Sequence, residues 1–335
     1  MKKGYVTILT VFFAVAPFLA ALVCLGIGRY ELTVFETLEA IYDAVSGAPV
    51  DATVQSVLFK VRLPRIILAL LVGAGLAVAG TSFQSLFSNP LATPDTLGVA
   101  TGASFGAVIA LLLCNNSVVV QLSALGFGLL SLAITCLVSK MNGRSSIIMV
   151  VLSGMVVSSI FQALVSLVKY TADTEEKLPA ITYWLMGSMS RATTSALLIG
   201  APFIIVGIII LFALRWRLNI LSLNEDEAKS LGVNVKKLRV LVMIAATMVT
   251  ASCVSMCGQV GWVGLLVPHA ARMIYGSDNK KLIPAGIGMG ATFMIVIDTI
   301  ARAATSAEIP VSILTALIGA PFFVLLLRKT GGAKL

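Results

Sequence analysis

Uninterrupted apolar blocks of about twenty residues recur along the chain. Clear examples are residues 5–28, 66–87, 122–138 and 197–214. An α-helix needs roughly 20 residues to cross the hydrocarbon core of a bilayer, so each block predicts a membrane-spanning helix. Only 12% of the residues are charged and 58% are hydrophobic. That composition excludes an ordinary soluble domain, in which about a quarter of the residues are charged.

The net charge of +9 comes mainly from basic residues in the short segments between the apolar blocks. It therefore indicates membrane topology, and we expect no nucleic-acid partner. The block 5–28 follows Lys2 and Lys3 in the manner of a secretory signal, but it is longer than a signal core and lacks a clear cleavage motif. We expect it to be the first membrane span.

The five cysteines lie within or beside apolar blocks, which favours a packing role and predicts no disulfide framework. They are Cys24, Cys114, Cys136, Cys253 and Cys257. The last two stand one helical turn apart, a spacing that suits a soft metal, but no third ligand accompanies them. We expect no metal site and no cofactor on this chain.

Hydropathy and loop chemistry predict an all-α polytopic fold, with about ten transmembrane helices in a single domain over residues 1–335. The predicted spans are 5–28, 65–87, 98–114, 118–138, 146–168, 195–214, 238–257, 261–275, 282–304 and 310–328. Ten crossings place both termini on the same side. If that side is the cytoplasm, it receives 16 of the 24 basic residues, as the positive-inside rule requires. We expect a multi-pass protein of the cytoplasmic membrane with both termini inside.

Two segments outside the predicted spans carry charge with helical periodicity. Residues 33–46 place apolar and acidic side chains on different faces, which predicts a short interfacial helix on the outer side. Residues 224–231 predict a cytoplasmic helix, because Asn224 can cap it, Glu227 stands at the capping-box position and Gly232 supplies a stop. A solvated connector explains this second pattern equally well.

Small residues recur inside the spans, as in the glycines at 73, 75 and 80 and at 286, 288 and 290. They allow membrane helices to approach closely, so we expect a tightly packed bundle. A ten-residue Gly-to-Pro spacing also occurs twice, at residues 80–90 and 258–268. Inverted repeats are common in transporters, so this repeated spacing suggests one, although two such spacings also arise by chance.

Longer motifs carry a more specific signal. They are RLPR at 62–65, LVGAGLAVAGTSFQSLFSNPLATPDTLGVATGASFGAV at 71–108, AKSLGV at 228–233, GWVGLLVPHAAR at 261–272, IDTIAR at 297–302 and EIPVSILTALIGAPFFVLLLRK at 308–329. With these motifs in this order, nearly the whole chain resembles the FecCD family of ABC importer permeases. That family carries ferric siderophores, heme and cobalamin, so the resemblance implies a cobalamin-permease-like fold.

The resemblance implies that this chain is a permease and not an enzyme, and that its solute is a ferric siderophore or similar iron chelate. It also implies a second permease chain, identical or related, and an extracytoplasmic solute-binding protein. Two ATPase subunits would bind ATP and Mg²⁺ and contact the cytoplasmic loop 218–239. The residues implied in that contact are Asn224, Glu225, Asp226, Glu227, Ala228, Leu231 and Gly232. The family usually has Leu-Gly before this helix, where the chain has Leu223 and Asn224.

Three arginines stand at the outer ends of predicted spans, namely Arg62, Arg65 and Arg302. The resemblance implies that they pair with acidic residues of the binding protein, a contact that suits the forked guanidinium group. Without the resemblance, headgroup snorkelling explains them, together with an ion pair between Arg302 and Asp298 one helical turn earlier.

His269 is the only histidine, and Arg272 follows it by one helical turn in the eighth predicted span. No partner residues accompany the histidine for metal binding or general-base catalysis, which argues against an intramembrane enzyme. We interpret both as part of the contact with the ATPase. The family often shows Asp-His-Arg shortly afterwards, where this chain has Asp278, Asn279 and Lys280, so no family role is transferred to the pair.

An ion-coupled secondary transporter is the alternative from a different class. It needs a titratable group near the bilayer centre, and the one serious candidate is Asp298, within two turns of the predicted outer surface. The sequence also lacks a P-loop, so we expect ATP hydrolysis on a separate chain. Heme and cobalamin stay open as alternative solutes.

Overall fold

The computed structural model describes residues 3–28, 30, 32–114, 116–140, 147–223, 225–305 and 307–330. These residues contain helices and loops and no β-strand. The α-helices are α1 (Lys3–Gly26), α2 (Val34–Ser46), α3 (Ala52–Gln55), α4 (Leu63–Leu86), α5 (Val99–Leu113), α6 (Ser117–Val138), α7 (Ile147–Thr171), α8 (Lys177–Leu185), α9 (Thr194–Ala213), α10 (Glu225–Ser230), α11 (Val235–Cys257), α12 (Val263–Tyr275), α13 (Asn279–Ala303) and α14 (Val311–Thr330). A π-helical segment, Ser56–Arg62, leads into α4, and 3₁₀ segments lie at Pro94–Leu97 and Arg217–Ser222.

Each of the ten predicted spans overlaps one helix. The helices are α1, α4, α5, α6, α7, α9, α11, α12, α13 and α14. Among the described residues, seven helical stretches are both long and apolar enough to cross a membrane. The helices α5 and α12 have only 15 and 13 residues. A multi-pass all-α membrane protein is therefore confirmed, while the count of ten crossings stays a prediction.

Helix α4 lies at the centre of the bundle. In its most apolar stretch 83% of the residues are buried, against 28% in α7. A Cβ added to Gly73 would overlap the carbonyl oxygen of Gly290 on α13, and one added to Gly80 would overlap that of Gly264 on α12. These helices meet backbone to backbone, as the small residues predict.

The repeated Gly-to-Pro spacing does not mark equivalent positions. Gly80 lies inside α4, whereas Gly258 forms the C-cap of α11 with a φ of 74°. Pro90 lies in the turn that follows α4, whereas Pro268 lies inside α12. The spacing therefore gives no support to an inverted repeat. The inverted repeat itself stays a prediction.

The predicted amphipathic helix forms as α2. Its capping box is complete, because the N–H of Glu36 donates to Oγ1 of Thr33 over 3.2 Å and the N–H of Thr33 donates to the Glu36 carboxylate over 2.6 Å. That backbone hydrogen bond lowers the pKa of Glu36. Phe35 and Val45 remain exposed, which leaves an apolar stripe on the helix. Its contact with the outer leaflet stays a prediction.

Candidate docking and coupling sites

The three predicted docking arginines converge at one end of the bundle. Arg62 ends the π-helical segment, Arg65 lies in the first turn of α4 and Arg302 lies in the last turn of α13. All three are buried, with exposed fractions of 3, 5 and 9%. The guanidinium groups of Arg62 and Arg302 both approach the backbone at Gly28. Distant parts of the sequence thus form one cationic cluster.

Arg65 joins three elements through its guanidinium group. Its Nε donates to both carboxylate oxygens of Asp298 on α13, each over 2.9 Å. Its Nη1 donates to Oε1 of Glu308 over 2.8 Å, in the loop before α14. The Asp298 side chain is 2% exposed and the Glu308 side chain is 31% exposed. One partner is therefore interior and the other borders the surface.

Arg62 and Arg302 hold the end of α1. Arg62 Nη1 donates to the carbonyls of Leu25 and Gly26 over 2.6 and 3.0 Å, and its Nη2 donates to the carbonyl of Tyr30. Arg302 Nη2 donates to the carbonyl of Cys24. The last carbonyls of a helix lack intrahelical partners and carry partial negative charge, so cations are favourable there.

These contacts correct two sequence-based expectations. The arginines do not form an exposed rim in this conformation, because carbonyl and carboxylate oxygens of the same chain already bind them. Asp298 pairs with Arg65 on another helix and not with Arg302 one turn away. Docking of a binding protein at the cluster stays a prediction.

Sequence reasoning missed Glu308 as a member of this cluster. The sequence feature that could have indicated it is the position of this acid, directly before the last apolar block and inside the motif at 308–329. Its second oxygen, Oε2, is buried without a hydrogen-bond partner among the described residues. Such a buried acceptor is costly and calls for a specific explanation.

The helix predicted at residues 224–231 forms as α10, although Asn224 itself lies outside the described residues, and its cytoplasmic location stays a prediction. Glu227 is exposed, and the loop continues through Leu231, which is 59% exposed. Gly232 follows with a φ of 71°, the left-handed conformation that ends helices. Ala228 faces the opposite way, is 1% exposed and belongs to the hydrophobic core. Glu225 and Asp226, which the resemblance also implies in the ATPase contact, lie in the first turn of α10.

The burial of Ala228 makes this position unsuitable for a test of the coupling role. A tryptophan at position 228 would be forced into the core of the permease, so it would report on folding rather than on a cleft in a partner. Leu231 is an exposed large apolar side chain that this loop offers to a partner. Contact with an ATPase stays a prediction for all residues of this loop.

Side-chain hydrogen bonds link the segment before α10 to the ends of α4 and α13, and no pattern in the sequence predicts them. The side-chain Nδ2 of Asn219 donates to Oδ1 of Asp278 over 2.8 Å. The side-chain Oδ1 of Asn219 accepts the backbone N–H of Asn279 over 2.9 Å. Asn279 in turn accepts from Ser85 at the end of α4 over 3.0 Å. The Asn219 hydrogen bond is the main cause of a lowered pKa for Asp278, which caps α13.

His269 is packed inside the permease. It is 5% exposed, and its ring lies 5.6 Å from that of Phe323 on α14. Neither ring nitrogen has a hydrogen-bond partner among the described residues, and Nη1 of Arg272 has none there either. The interpretation of His269 as an ATPase contact is therefore wrong for this conformation, because α14 covers the side chain.

The two cysteines on α11 lie in the hydrophobic core of the bundle. Cys253 and Cys257 are buried, and Sγ of Cys257 donates to the carbonyl of Cys253 over 3.0 Å. Within the described ranges, no group of three His, Cys, Asp or Glu side chains could hold a metal ion. Packing inside the bundle accounts for both residues.

A known protein family matches most of the chain. The model of the FecCD transport family matches residues 16–329. The chain belongs to the FecCD transport family. It is similar to the molybdate import system permease protein MolB of Haemophilus influenzae, with 44% identity over 312 residues that cover 93% of this chain and 92% of the relative. It is also similar to the cobalamin import system permease protein BtuC of Halobacterium salinarum, with 39% identity, covering 83% and 75% of the two chains.

A solved structure is similar to this chain over nearly its whole length. It shows a metal-chelate type ABC transporter in an inward-facing conformation, with a TM-score of 0.87 and 42% identity, covering 96% of this chain and 98% of that one. The chain is thus a membrane permease of the ABC importer class. The secondary-transporter alternative loses its support, because its one candidate acid, Asp298, is bound by Arg65.

Proposed function

We propose that this FecCD permease imports an anionic metal complex, either an iron chelate or a metal oxyanion, delivered by a solute-binding protein. The observation that carries the proposal is the 44% identity with a molybdate import permease, which extends over nearly the whole of both chains. The likeness to a metal-chelate type transporter supports the same solute class. The cationic outer cluster suits an acidic binding protein.

The assembly that we propose follows the resemblance. A second permease chain and two separate ATPase subunits would complete the importer, and ATP and Mg²⁺ would bind to those ATPase subunits. The loop that contains α10 and Leu231 would contact the ATPase. The ten predicted spans would all cross the membrane and leave both termini in the cytoplasm, which agrees with the excess of basic residues in the loops assigned to that side.

Reconstituted uptake tests the solute class. The complete transporter, with its ATPase and binding protein in liposomes, would receive molybdate, a ferric siderophore, ferric citrate, hemin or cobalamin in parallel. We expect ATP-dependent uptake of molybdate or of one of the anionic iron chelates. Uptake confined to cobalamin would contradict the proposed class, and uptake without the ATPase would contradict the importer mechanism.

A further inference from the structure

Glu308 borders the arginine cluster of Arg62, Arg65 and Arg302 at a place where an outside group could replace an internal partner. Arg65 is held by two carboxylates, and Asp298 is sealed inside the bundle, with 2% of its side chain exposed. The Glu308 side chain is 31% exposed and contributes one hydrogen bond to Arg65, through Oε1. A carboxylate that borders the surface can exchange its protein partner for water at a lower cost than a carboxylate sealed inside the bundle. Glu308 is therefore the partner that Arg65 gives up most easily.

The backbone around Glu308 is bound to the end of α8. The N–H of Val311 donates to the carbonyl of Gly187 over 3.0 Å, and the N–H of Ser312 donates to that of Met186 over 3.3 Å. The hydroxyl of Tyr183, on α8, donates to the carbonyl of Glu308 over 3.2 Å. The segment 308–312 thus connects the arginine cluster to the C-terminal end of α8.

The connection continues into the centre of the bundle. The N–H of Ser188 donates to the carbonyl of Cys257 over 2.8 Å, at the end of α11. A Cβ added at Gly187 would overlap the carbonyl of Gln259, and one at Gly258 would overlap the carbonyl of Trp184. A displacement of residues 186–188 cannot be absorbed locally, because the two backbones are already in contact there.

We infer that Glu308 is an exchangeable counter-ion of Arg65, which a carboxylate of the docked binding protein displaces, and that this exchange releases the segment 308–312 from α8. The inference rests on the proposed docking of a binding protein at the arginine cluster. Glu308 acts here as a positioning residue: it holds the guanidinium group of Arg65 in its direction while the site is empty. Its buried oxygen Oε2, which lacks a hydrogen-bond partner among the described residues, lowers the cost of leaving this position.

Association measurements on the full transporter in nanodiscs test the exchange. Glu308→Gln removes the charge and keeps the shape and an acceptor for Arg65. We expect it to bind the purified binding protein two- to about fivefold more tightly, with a steeper dependence on salt, because Arg65 loses an internal competitor. Tyr183→Phe is the matched control: it removes the hydrogen bond to the carbonyl of Glu308, leaves the ion pair intact and should bind like the wild type.

Hydrogen exchange of the backbone amides tests whether the segment 308–312 is released from α8. In the wild type we expect the amides of Val311 and Ser312 to be protected without the binding protein and to exchange faster when it docks. In Glu308→Gln these amides should exchange faster already in the free transporter. Docking of the wild type with unchanged protection, or Glu308→Gln with unchanged affinity and salt dependence, would overturn the exchange.

A further variant separates this inference from the docking proposal. Arg65→Gln combined with Asp298→Asn removes the docking arginine without leaving a buried carboxylate unpaired. We expect the double variant to weaken docking. If docking is unaffected, the arginine cluster is not the docking site and the exchange fails with it. If docking weakens and Glu308→Gln still behaves like the wild type, only the exchange is refuted.

Discussion

Arg65 and Asp298 show how a charged residue is accommodated inside a membrane protein. Both side chains are nearly fully buried, and Nε of Arg65 lies 2.9 Å from each carboxylate oxygen. Removal of a charge from water costs free energy, so each of these two charges is tolerated in the interior only because the other one neutralises it. The two residues are 233 positions apart in the sequence, so only their types and outer location could be predicted.

The first prediction concerns this pair. Arg65→Met leaves Asp298 buried without a counter-ion and should destabilise the permease by about 3–5 kcal/mol. Addition of Asp298→Asn should recover a large part of that loss, so the double variant is more stable than Arg65→Met alone. Thermal unfolding in detergent gives the order of stability, and Arg217→Met, at an exposed position, is the control. Equal stability of the single and double variants would contradict the pairing.

The second prediction concerns Asp278 and acid. The hydrogen bond from Asn219 lowers the pKa of Asp278 below its ordinary value of 3.8, so ionised Asp278 stabilises the fold at neutral pH. That contribution is present above the ordinary pKa and is lost as the pH falls through the lowered pKa. Asp278→Asn should therefore be less stable than the wild type at pH 7, and the difference should shrink toward pH 3. Asparagine still caps a helix, so the comparison isolates the charge. A difference that stays constant with pH would refute the assignment.

At the scale of elements, glycine determines how α4 packs. The contact between Gly73 and Gly290 leaves no room for a side chain, whereas a Cβ at Gly126 on α6 meets no atom within 4 Å. The third prediction is that Gly73→Ala and Gly290→Ala each destabilise the bundle by about 1–3 kcal/mol, whereas Gly126→Ala is neutral or slightly stabilising. Unfolding temperatures of the three variants measure this. Tolerance of alanine at both contact positions would contradict the close approach of α4 and α13.

The loop around α10 carries the fourth prediction. Leu231 is 59% exposed, so Leu231→Ala should leave the fold intact and remove an apolar contact with the ATPase. We expect a roughly tenfold loss of solute-stimulated ATP hydrolysis and of uptake, the size of a single apolar interface anchor. Leu198→Ala, at a 72% exposed leucine on α9, is the matched control. Full stimulation in the Leu231 variant would remove that residue from the coupling contact.

At the scale of the whole molecule, α7 leaves a broad apolar face uncovered. Met155, Val156 and Ile160 are each more than half exposed, so lipid or a second chain must cover them in the membrane. The fifth prediction is that the assembled transporter contains two permease chains. Native mass measurement of the purified complex counts them directly, and one permease per complex would contradict the proposed assembly.

The sequence by itself determined the all-α membrane fold, the helices at 34–46 and 225–230 and the family, because these follow from local periodicity, capping residues and contiguous motifs. It also located Arg62, Arg65 and Arg302 near the ends of predicted spans. Only the tertiary structure decided which charges pair, because Arg65, Asp298 and Glu308 meet through the packing of separate helices. The tertiary structure also decided whether Ala228, Leu231 and His269 are buried or exposed. Sequence periodicity does not show which neighbouring helix covers a given face of a helix.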